Sequence, residues 1–168
     1  MATTHTPGKS LPKAIPTVEQ DVDAVDLLIK DHENVKAMFE QYEALGDRAL
    51  ASKKKLAAQI CLELTKHATA EEEIFYPAVR AANKANDDMV DEAVVEHGSA
   101  KELIAQILAM EPDEALYDAK VKVLSEQIEH HVEEEETEMF PTARKSKLDL
   151  VELGAAIERR KAEVGLPA

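Results

Sequence analysis

Two stretches of the chain repeat one arrangement of polar residues within apolar helical patterns. The first reads His67-Ala-Thr-Ala-Glu71 and the second reads His131-Val-Glu-Glu-Glu135, and a proline follows each. In an α-helix, residues four apart lie one turn apart on the same face, so each pair presents an imidazole beside a carboxylate. The repeat therefore constrains the fold, because both pairs should face the same kind of environment.

A further histidine precedes each stretch at nearly the same distance. His32 lies 35 residues before His67, and His97 lies 34 residues before His131. We interpret the chain as two copies of one helical hairpin, because an internal repeat of this kind indicates repeated structure. Together the hairpins bring four imidazoles and two carboxylates to a common interior. Such a set can bind two divalent transition metals.

Length and composition favour a single helical domain. The chain has 168 residues with only 4% aromatic residues and no Trp, and Ala, Leu, Glu and Lys dominate, which favours helix over strand. We predict an all-α, up-down-up-down four-helix bundle over residues 17–145 with a short fifth helix after it. Residues 1–16 are expected to be a disordered tail, and 146–168 the C-terminal helix and tail. Capping boxes at 17–20 and 146–149 should start the first and last helices.

A helical wheel places the candidate ligands in the core. At about 100° per residue, all four repeated histidines lie within the apolar stripes of their helices. Glu71 and Glu135 follow inside the same stripes, whereas Glu72, Glu73 and His130 fall outside them. A lone histidine on an apolar face is more often an ordinary core residue. The joint pattern favours metal, because a core with this many polar groups needs partners that two cations would supply.

Other chemistry-bearing residues have simpler interpretations. Tyr76 lies off the stripe, although Pro77 makes the wheel unreliable there, and a phenolate ligand is the alternative to packing. Lys36 and Lys101 should extend toward the bundle end, and the alternative is that one ammonium faces the cluster and stabilises a bound anion. Cys61 is expected to be a partly buried thiol without chemistry.

Charge and cysteine content exclude several classes of function. The formal net charge of −14 argues against nucleic acid and anionic membrane surfaces as partners. A single cysteine excludes an internal disulfide framework and a cysteine-based zinc site. We find neither a signal peptide nor a run long enough to span a membrane. We therefore expect a cytoplasmic protein, more simply a monomer than an obligate oligomer.

At these residues the chain resembles the hemerythrin family, in the branch called HHE cation-binding domains. The resemblance covers about residues 21–142 and is carried by His32, His67, Glu71, Pro77, His97, His131, Glu135 and Pro141. It implies a four-helix bundle with an oxo- or hydroxo-bridged, non-haem di-iron centre. The four histidines would be terminal ligands of two Fe ions, and the two glutamates would bridge them.

One position departs from the pattern of the oxygen-carrying members of that family. Those proteins have a second histidine four residues after the one on the third helix, and this chain has Lys101 there. With that imidazole missing, the resemblance implies that both irons keep an open position. This arrangement suits a small ligand held between the metals, such as peroxide.

These expectations lead to one favoured function and two alternatives. We expect a di-iron protein that binds or reduces a small oxidant (O2, H2O2 or NO), with catalase-like disproportionation as the favoured reaction. One alternative is a module that senses iron, oxygen or NO without turnover. The other is iron storage or detoxification. A structural zinc bundle is disfavoured, because structural zinc is not held by bridging carboxylates with open positions.

Overall fold

The computed structural model describes residues 21–167, and this part of the chain is helical without strands. Seven α-helices, two π-helical stretches and one 3₁₀ turn follow one another along it. In chain order they are α1 (Ala24–Glu43), α2 (Leu50–Ala70), π1 (Glu71–Phe75), α3 (Tyr76–Ala82), the 3₁₀ turn (Lys84–Asn86), α4 (Asp87–Leu108), α5 (Tyr117–Glu134), π2 (Glu135–Met139), α6 (Phe140–Lys145) and α7 (Leu150–Glu163).

These elements form the four arms of a bundle and one additional helix. α1 and α4 are single arms, α2 continues through π1 into α3, and α5 continues through π2 into α6. The most extensive contacts join α1 to α2 and α4 to α5, which makes the two hairpins of the repeat. α7 packs across α1 and α2. The all-α bundle with a short C-terminal helix is therefore confirmed.

Both long arms open into a π-helix just before a proline. A proline has no N–H to donate, and its ring clashes with the carbonyl four residues earlier. Pro77 and Pro141 each lie at the start of an α-helical segment that follows five π-helical residues. The departure from a regular helix that Pro77 indicated is confirmed. The fourth arm continues past Pro141 to Lys145.

The helix starts differ from the capping-box predictions. The box at 17–20 and the tail at 1–16 lie outside the described residues, but residues 21–23 are not helical, so the first helix begins later than predicted. Asp23 caps α1 by accepting a hydrogen bond of 2.9 Å from the backbone N–H of Asp26. Asp149, rather than Ser146, caps α7 by accepting one of 3.0 Å from the Glu152 N–H.

The core consists of two apolar clusters at opposite ends of the bundle. One contains Phe75, Phe140 and Ile157, and the other contains Phe39 and Leu124. Among the described residues, no helix is both long enough and apolar enough to cross a membrane.

The contact between α7 and α1 requires glycine at one position. A Cβ added to Gly154 would lie 2.7 Å from the carbonyl oxygen of Val22 and 3.0 Å from the backbone nitrogen of Ala24. Since these neighbours are backbone atoms, they cannot rotate away. Gly154 thus lets α7 lie directly against the start of α1, where the fully buried Ile157 anchors it.

Candidate metal centre

The two histidines of the first hairpin face each other in the interior, next to both predicted carboxylates. The Nε2 atoms of His32 and His67 are 3.2 Å apart. Nε2 of His67 lies 3.1 Å from Oε1 of Glu71, and Nε2 of His32 lies 3.2 Å from Oε2 of Glu135. All four residues are buried. We call these four ligand atoms site 1.

The two histidines of the second hairpin form a matching group with the other oxygens of the same carboxylates. The Nε2 atoms of His97 and His131 are 3.0 Å apart. Nε2 of His97 lies 3.2 Å from Oε2 of Glu71, and Nε2 of His131 lies 3.4 Å from Oε1 of Glu135. We call these four atoms site 2. Each glutamate therefore presents one oxygen to each histidine pair.

The spacing and the unsatisfied oxygens of site 1 fit a bound cation. Ligand atoms about 2.1 Å from a metal and at right angles to one another lie about 3 Å apart, as these atoms do. Within residues 21–167, Oε1 of Glu71 and Oε2 of Glu135 accept no hydrogen bond of good geometry, and their close neighbours are the Nε2 atoms of His67, at 3.1 Å, and His32, at 3.2 Å. A buried carboxylate needs a positive partner, either a proton on these imidazoles or a cation between the two oxygens.

Tyr76 lies beside site 2. Its hydroxyl donates a hydrogen bond of 2.6 Å to Oε1 of Glu135 and lies 3.3 Å from Oε2 of Glu71. The hydroxyl oxygen of Tyr76 is 3.1 Å from Nε2 of His97 and 3.4 Å from Nε2 of His131. Burial, with the two carboxylates, raises the pKa of this hydroxyl above its usual range.

The wheel placed Tyr76 away from the core because it assumed a regular helix. The π-helical turn at Glu71–Phe75 contains more residues than an α-helical turn. The residues after it are therefore rotated about the helix axis relative to the apolar stripe that contains His67. Tyr76 consequently points inward and is 2% exposed. Pro77 was the signal in the sequence that the regular phase would fail here.

Three of the four imidazoles are held from outside by a carboxylate at Nδ1. The Nδ1 atom of His67 pairs with Asp31 at 3.0 Å and that of His97 with Glu72 at 2.9 Å. The third pair joins Nδ1 of His131 to Glu96. A carboxylate at Nδ1 orients the ring and leaves Nε2 for a metal.

The prediction that Glu72 faces solvent is therefore wrong. Only 25% of its side chain is exposed, and its Oε1 lies 2.9 Å from His97 Nδ1. Glu73, also placed outside the stripe, does lie at the surface and pairs with Arg160 at 2.6 Å. His130, with 64% of its side chain exposed, points away from the core as the wheel indicated.

Two lysines bind the carboxylates that hold these imidazole rings. Lys161 of α7 donates to both oxygens of Asp31 at 2.6 Å, and Lys101 donates to both oxygens of Glu72 at 2.6 and 2.7 Å. The ammonium of Lys101 thus reaches the centre only through Glu72 and His97. Lys36 lines a groove on the outside of the bundle.

Electrostatic interactions within the centre raise the pKa values of His67 and His131 and hold protons on these two imidazoles when metal is absent. Burial alone would lower the pKa of His67, but Glu71 and Asp31 raise it to about 10. Burial likewise opposes protonation of His131, and Glu135 raises that pKa to about 9. Burial would raise the pKa values of Glu71 and Glu135, but the facing imidazoles lower both. The carboxylates are therefore charged and attract either protons or cations to the imidazoles.

An apolar cavity of about 290 Å³ lies against the centre. The rings of all four site histidines form part of its wall, and apolar side chains such as Val35, Leu64, Ala100 and Ile104 form much of the remainder. Asp31 and Lys101 are its charged lining residues, and the mostly apolar wall suits a small uncharged molecule.

A helical bundle with two adjoining buried groups of histidines and shared glutamates defines a class of metal-binding proteins. A family model described as the hemerythrin HHE cation-binding domain matches residues 23–143. The chain belongs to this family, as its resemblance to the family indicated.

Two curated relatives and one solved structure are similar to the chain. A DNA nickase from Nostoc sp. is 31% identical over 126 residues, which cover 75% of this chain but only 35% of the nickase. An uncharacterised hemerythrin-like protein from Schizosaccharomyces pombe is 23% identical over 139 residues, covering 81% of this chain and 68% of that protein. The crystal structure of a hemerythrin HHE cation-binding domain-containing protein from Mycobacterium kansasii has a TM-score of 0.71 at 24% identity, covering 84% of this chain and 86% of that one.

Proposed function

We propose that the protein holds a pair of iron ions at sites 1 and 2 and uses them to bind or reduce a small oxidant. The observation that carries this proposal is the position of the two buried glutamates, each with one oxygen toward each histidine pair. A carboxylate in that position can bind two cations at once, as in other helical bundles with inward-facing Glu and His ligands. The proposed ligands are His32, His67, Glu71, His97, His131 and Glu135.

The ligand types favour iron over structural zinc. Imidazole and carboxylate bind iron, whereas structural zinc is usually held in a closed tetrahedral site, most often with cysteine. Cys61 belongs to neither site, and burial raises the pKa of its thiol to about 12. Membership in a cation-binding family supports a metal at these residues. Its identity as iron is part of the proposal.

Tyr76 is proposed as an additional ligand at site 2. Its oxygen is as far from His97 and His131 as the other candidate ligand atoms are from one another. The carboxylates keep the phenol protonated without metal, but adjacent cations reverse that effect and favour the phenolate. Site 1 would then have fewer protein ligands than site 2. More coordination positions would therefore be open to a small ligand at site 1 than at site 2.

The surrounding residues suit a small, uncharged oxidant. Bound iron would supply electrons by changing between its ferrous and ferric states. The outer carboxylates Asp31, Glu72 and Glu96 hold the imidazole rings in place. The apolar cavity has room for O2, H2O2 or NO and disfavours ions. Among these ligands we favour peroxide, with disproportionation to water and O2.

DNA cleavage is not part of this proposal. The nickase relative is longer than the matched region, and its activity is a property of that protein. The net charge of −14 repels a polyanion, so the shared region gives no reason to expect DNA binding here.

The test is peroxide consumption by iron-loaded protein, measured together with O2 evolution. The wild type should consume H2O2 and evolve O2, and Glu135→Ala, which loses one oxygen from each site, should be at least tenfold slower. Equal rates in the two proteins would overturn the enzymatic proposal. Iron binding that changes protease resistance without peroxide turnover would favour the sensing alternative instead.

A further inference from the structure

A groove of about 710 Å³ runs along the outside of the bundle between α1 and α5. Its walls carry glutamates along their whole length, from Glu33 to Glu43 on α1 and from Glu126 to Glu136 on the facing arm. Lys36 and Lys122 are its cationic residues. Lys122 is paired with Glu43, at 3.0 Å, at the end of the groove away from the metal centre. At the other end, Lys36 is accompanied by three carboxylates, those of Glu33, Glu133 and Glu136, so that end is acidic.

That other end is formed by His32, the one site histidine without a carboxylate at hydrogen-bond distance from Nδ1. Within the described part of the chain, His32 Nδ1 has no hydrogen-bond partner. Oε1 of Glu136 lies 3.9 Å from this nitrogen, and only 6% of the His32 side chain is exposed. The same ring has its Nε2 in site 1, so one imidazole separates the groove from the centre.

The internal repeat provides a direct comparison for this end of the groove. Glu72 and Glu136 each follow a site glutamate, but Glu72 lies 2.9 Å from its imidazole Nδ1, against 3.9 Å for Glu136. Lys101 also neutralises Glu72 at 2.6 Å. One side of the centre is thus closed by a hydrogen-bonded and ion-paired carboxylate. On the equivalent side the Glu136 carboxylate and the His32 nitrogen are 3.9 Å apart, which is too far for a hydrogen bond.

The apolar cavity cannot serve the same purpose for a metal ion. Its charged lining residues, Asp31 and Lys101, are already paired with Lys161 and Glu72, so a hydrated divalent cation that entered it would lose water without gaining a free carboxylate, which is costly. A groove lined by carboxylates offers oxygen ligands at each step and concentrates cations through its field. Metal and oxidant are therefore expected to use different approaches to the centre.

We propose that the acidic groove is the route by which divalent metal ions reach the buried centre. Glu136 and the outer nitrogen of His32 would be the last ligands that an ion meets before site 1. This inference rests on the proposed metal centre, because it assigns an entrance to that centre and no new chemistry.

The test is the rate at which Co²⁺ enters metal-free, full-length protein, followed by stopped-flow absorbance. Glu133→Gln combined with Glu136→Gln should slow loading about tenfold at low ionic strength, and added salt should shrink the difference. Glu102→Gln combined with Glu158→Gln is the matched control, since it removes the same charge from exposed positions outside the groove. Lys36→Gln should load faster than the wild type at low ionic strength, and added salt should shrink this gain, as expected for an electrostatic effect.

The final amount of bound Co²⁺ separates failure of the route from failure of the centre. Both double variants should bind as much Co²⁺ at equilibrium as the wild type. Equal loading rates in the two double variants, with normal final binding, would overturn the route and leave the centre intact. A wild type that binds no Co²⁺ would overturn both.

Discussion

Tyr76 and Phe140 occupy equivalent positions in the two halves of the repeat, yet they make different contacts with the two sites. Each lies nine residues after its histidine, His67 or His131, and directly after a π-helical stretch. The Tyr76 hydroxyl reaches Glu135 in site 2 at 2.6 Å. The Phe140 ring instead stacks on His32 of site 1, with ring centroids 5.6 Å apart. The centre is therefore asymmetric although its six predicted ligands are nearly symmetric.

Replacing Tyr76 with phenylalanine should destabilise the metal-free protein. The substitution keeps the ring but removes the donor to the buried Glu135 carboxylate, which should cost about 1–3 kcal/mol. Urea unfolding in the presence of EDTA measures the change. Tyr42→Phe is a useful comparison, because its hydroxyl donates to the more exposed Asp118 at 2.7 Å and should cost less. An unchanged midpoint for Tyr76→Phe would contradict the hydrogen bond described here.

The neighbouring residues Glu72 and Glu73 should respond differently to the same substitution. Glu72→Gln weakens the hold on the His97 ring, so metal affinity should fall about 10–100-fold. Glu73→Gln removes an equal charge but only the surface contact with Arg160, so affinity should stay near the wild-type value. Competition against a chelator of known affinity measures both. Equal losses in the two variants would mean that charge, rather than ring orientation, controls binding.

The stability of the metal-free protein should fall as the pH rises above neutrality. The pKa of His67 is raised to about 10 and that of His131 to about 9, from about 6.5 in the unfolded chain. A histidine whose pKa is raised in the folded state stabilises the fold. That contribution is fully present below about pH 6.5, the unfolded pKa, and is lost as the pH rises through the folded-state pKa. Thermal melts with EDTA between pH 6.5 and 10 should therefore show a falling midpoint. A midpoint that rises over this range would contradict the charge arrangement.

Two glycine-to-alanine substitutions should have opposite effects on stability. Gly154→Ala places a Cβ 2.7 Å from the Val22 carbonyl oxygen and should destabilise the fold by about 1–3 kcal/mol. Gly98→Ala meets nothing within 4 Å inside α4 and should stabilise by up to about 1 kcal/mol. Chemical unfolding of both variants checks the pair. If Gly98→Ala destabilised the protein as much as Gly154→Ala, the close contact between α7 and α1 would not explain the effect at Gly154.

The sequence predicted the bundle and the gathering of six side chains because both depend on helical periodicity. Glu71 and Glu135 follow their histidines by one turn, and that relationship survives because the π-helical stretches begin at these very residues. Tyr76 comes after such a stretch, so a regular wheel could not place it. The fourth arm likewise changes from α-helix to π-helix before it continues beyond Phe140.

The outer carboxylates could not be assigned from periodicity because they act between helices. Asp31 and Glu96 each precede the first histidine of a hairpin, and each binds Nδ1 of the second histidine in that hairpin. This acidic residue before histidine is itself repeated in the sequence and could have been noticed. The histidine ring that each of these carboxylates contacts depends on how the helices pack against one another, which the periodicity of one helix does not predict.

The most direct test of the metal centre is an anaerobic titration of metal-free protein with Fe²⁺. The geometry of two sites that share two carboxylates predicts saturation at about two irons per chain, and Glu71→Ala, which removes an oxygen from both sites, should fall below that value. Ferric protein should show near-ultraviolet charge-transfer bands. Saturation at one iron or none in the wild type, or zinc alone in protein purified from iron-replete cells, would contradict the account.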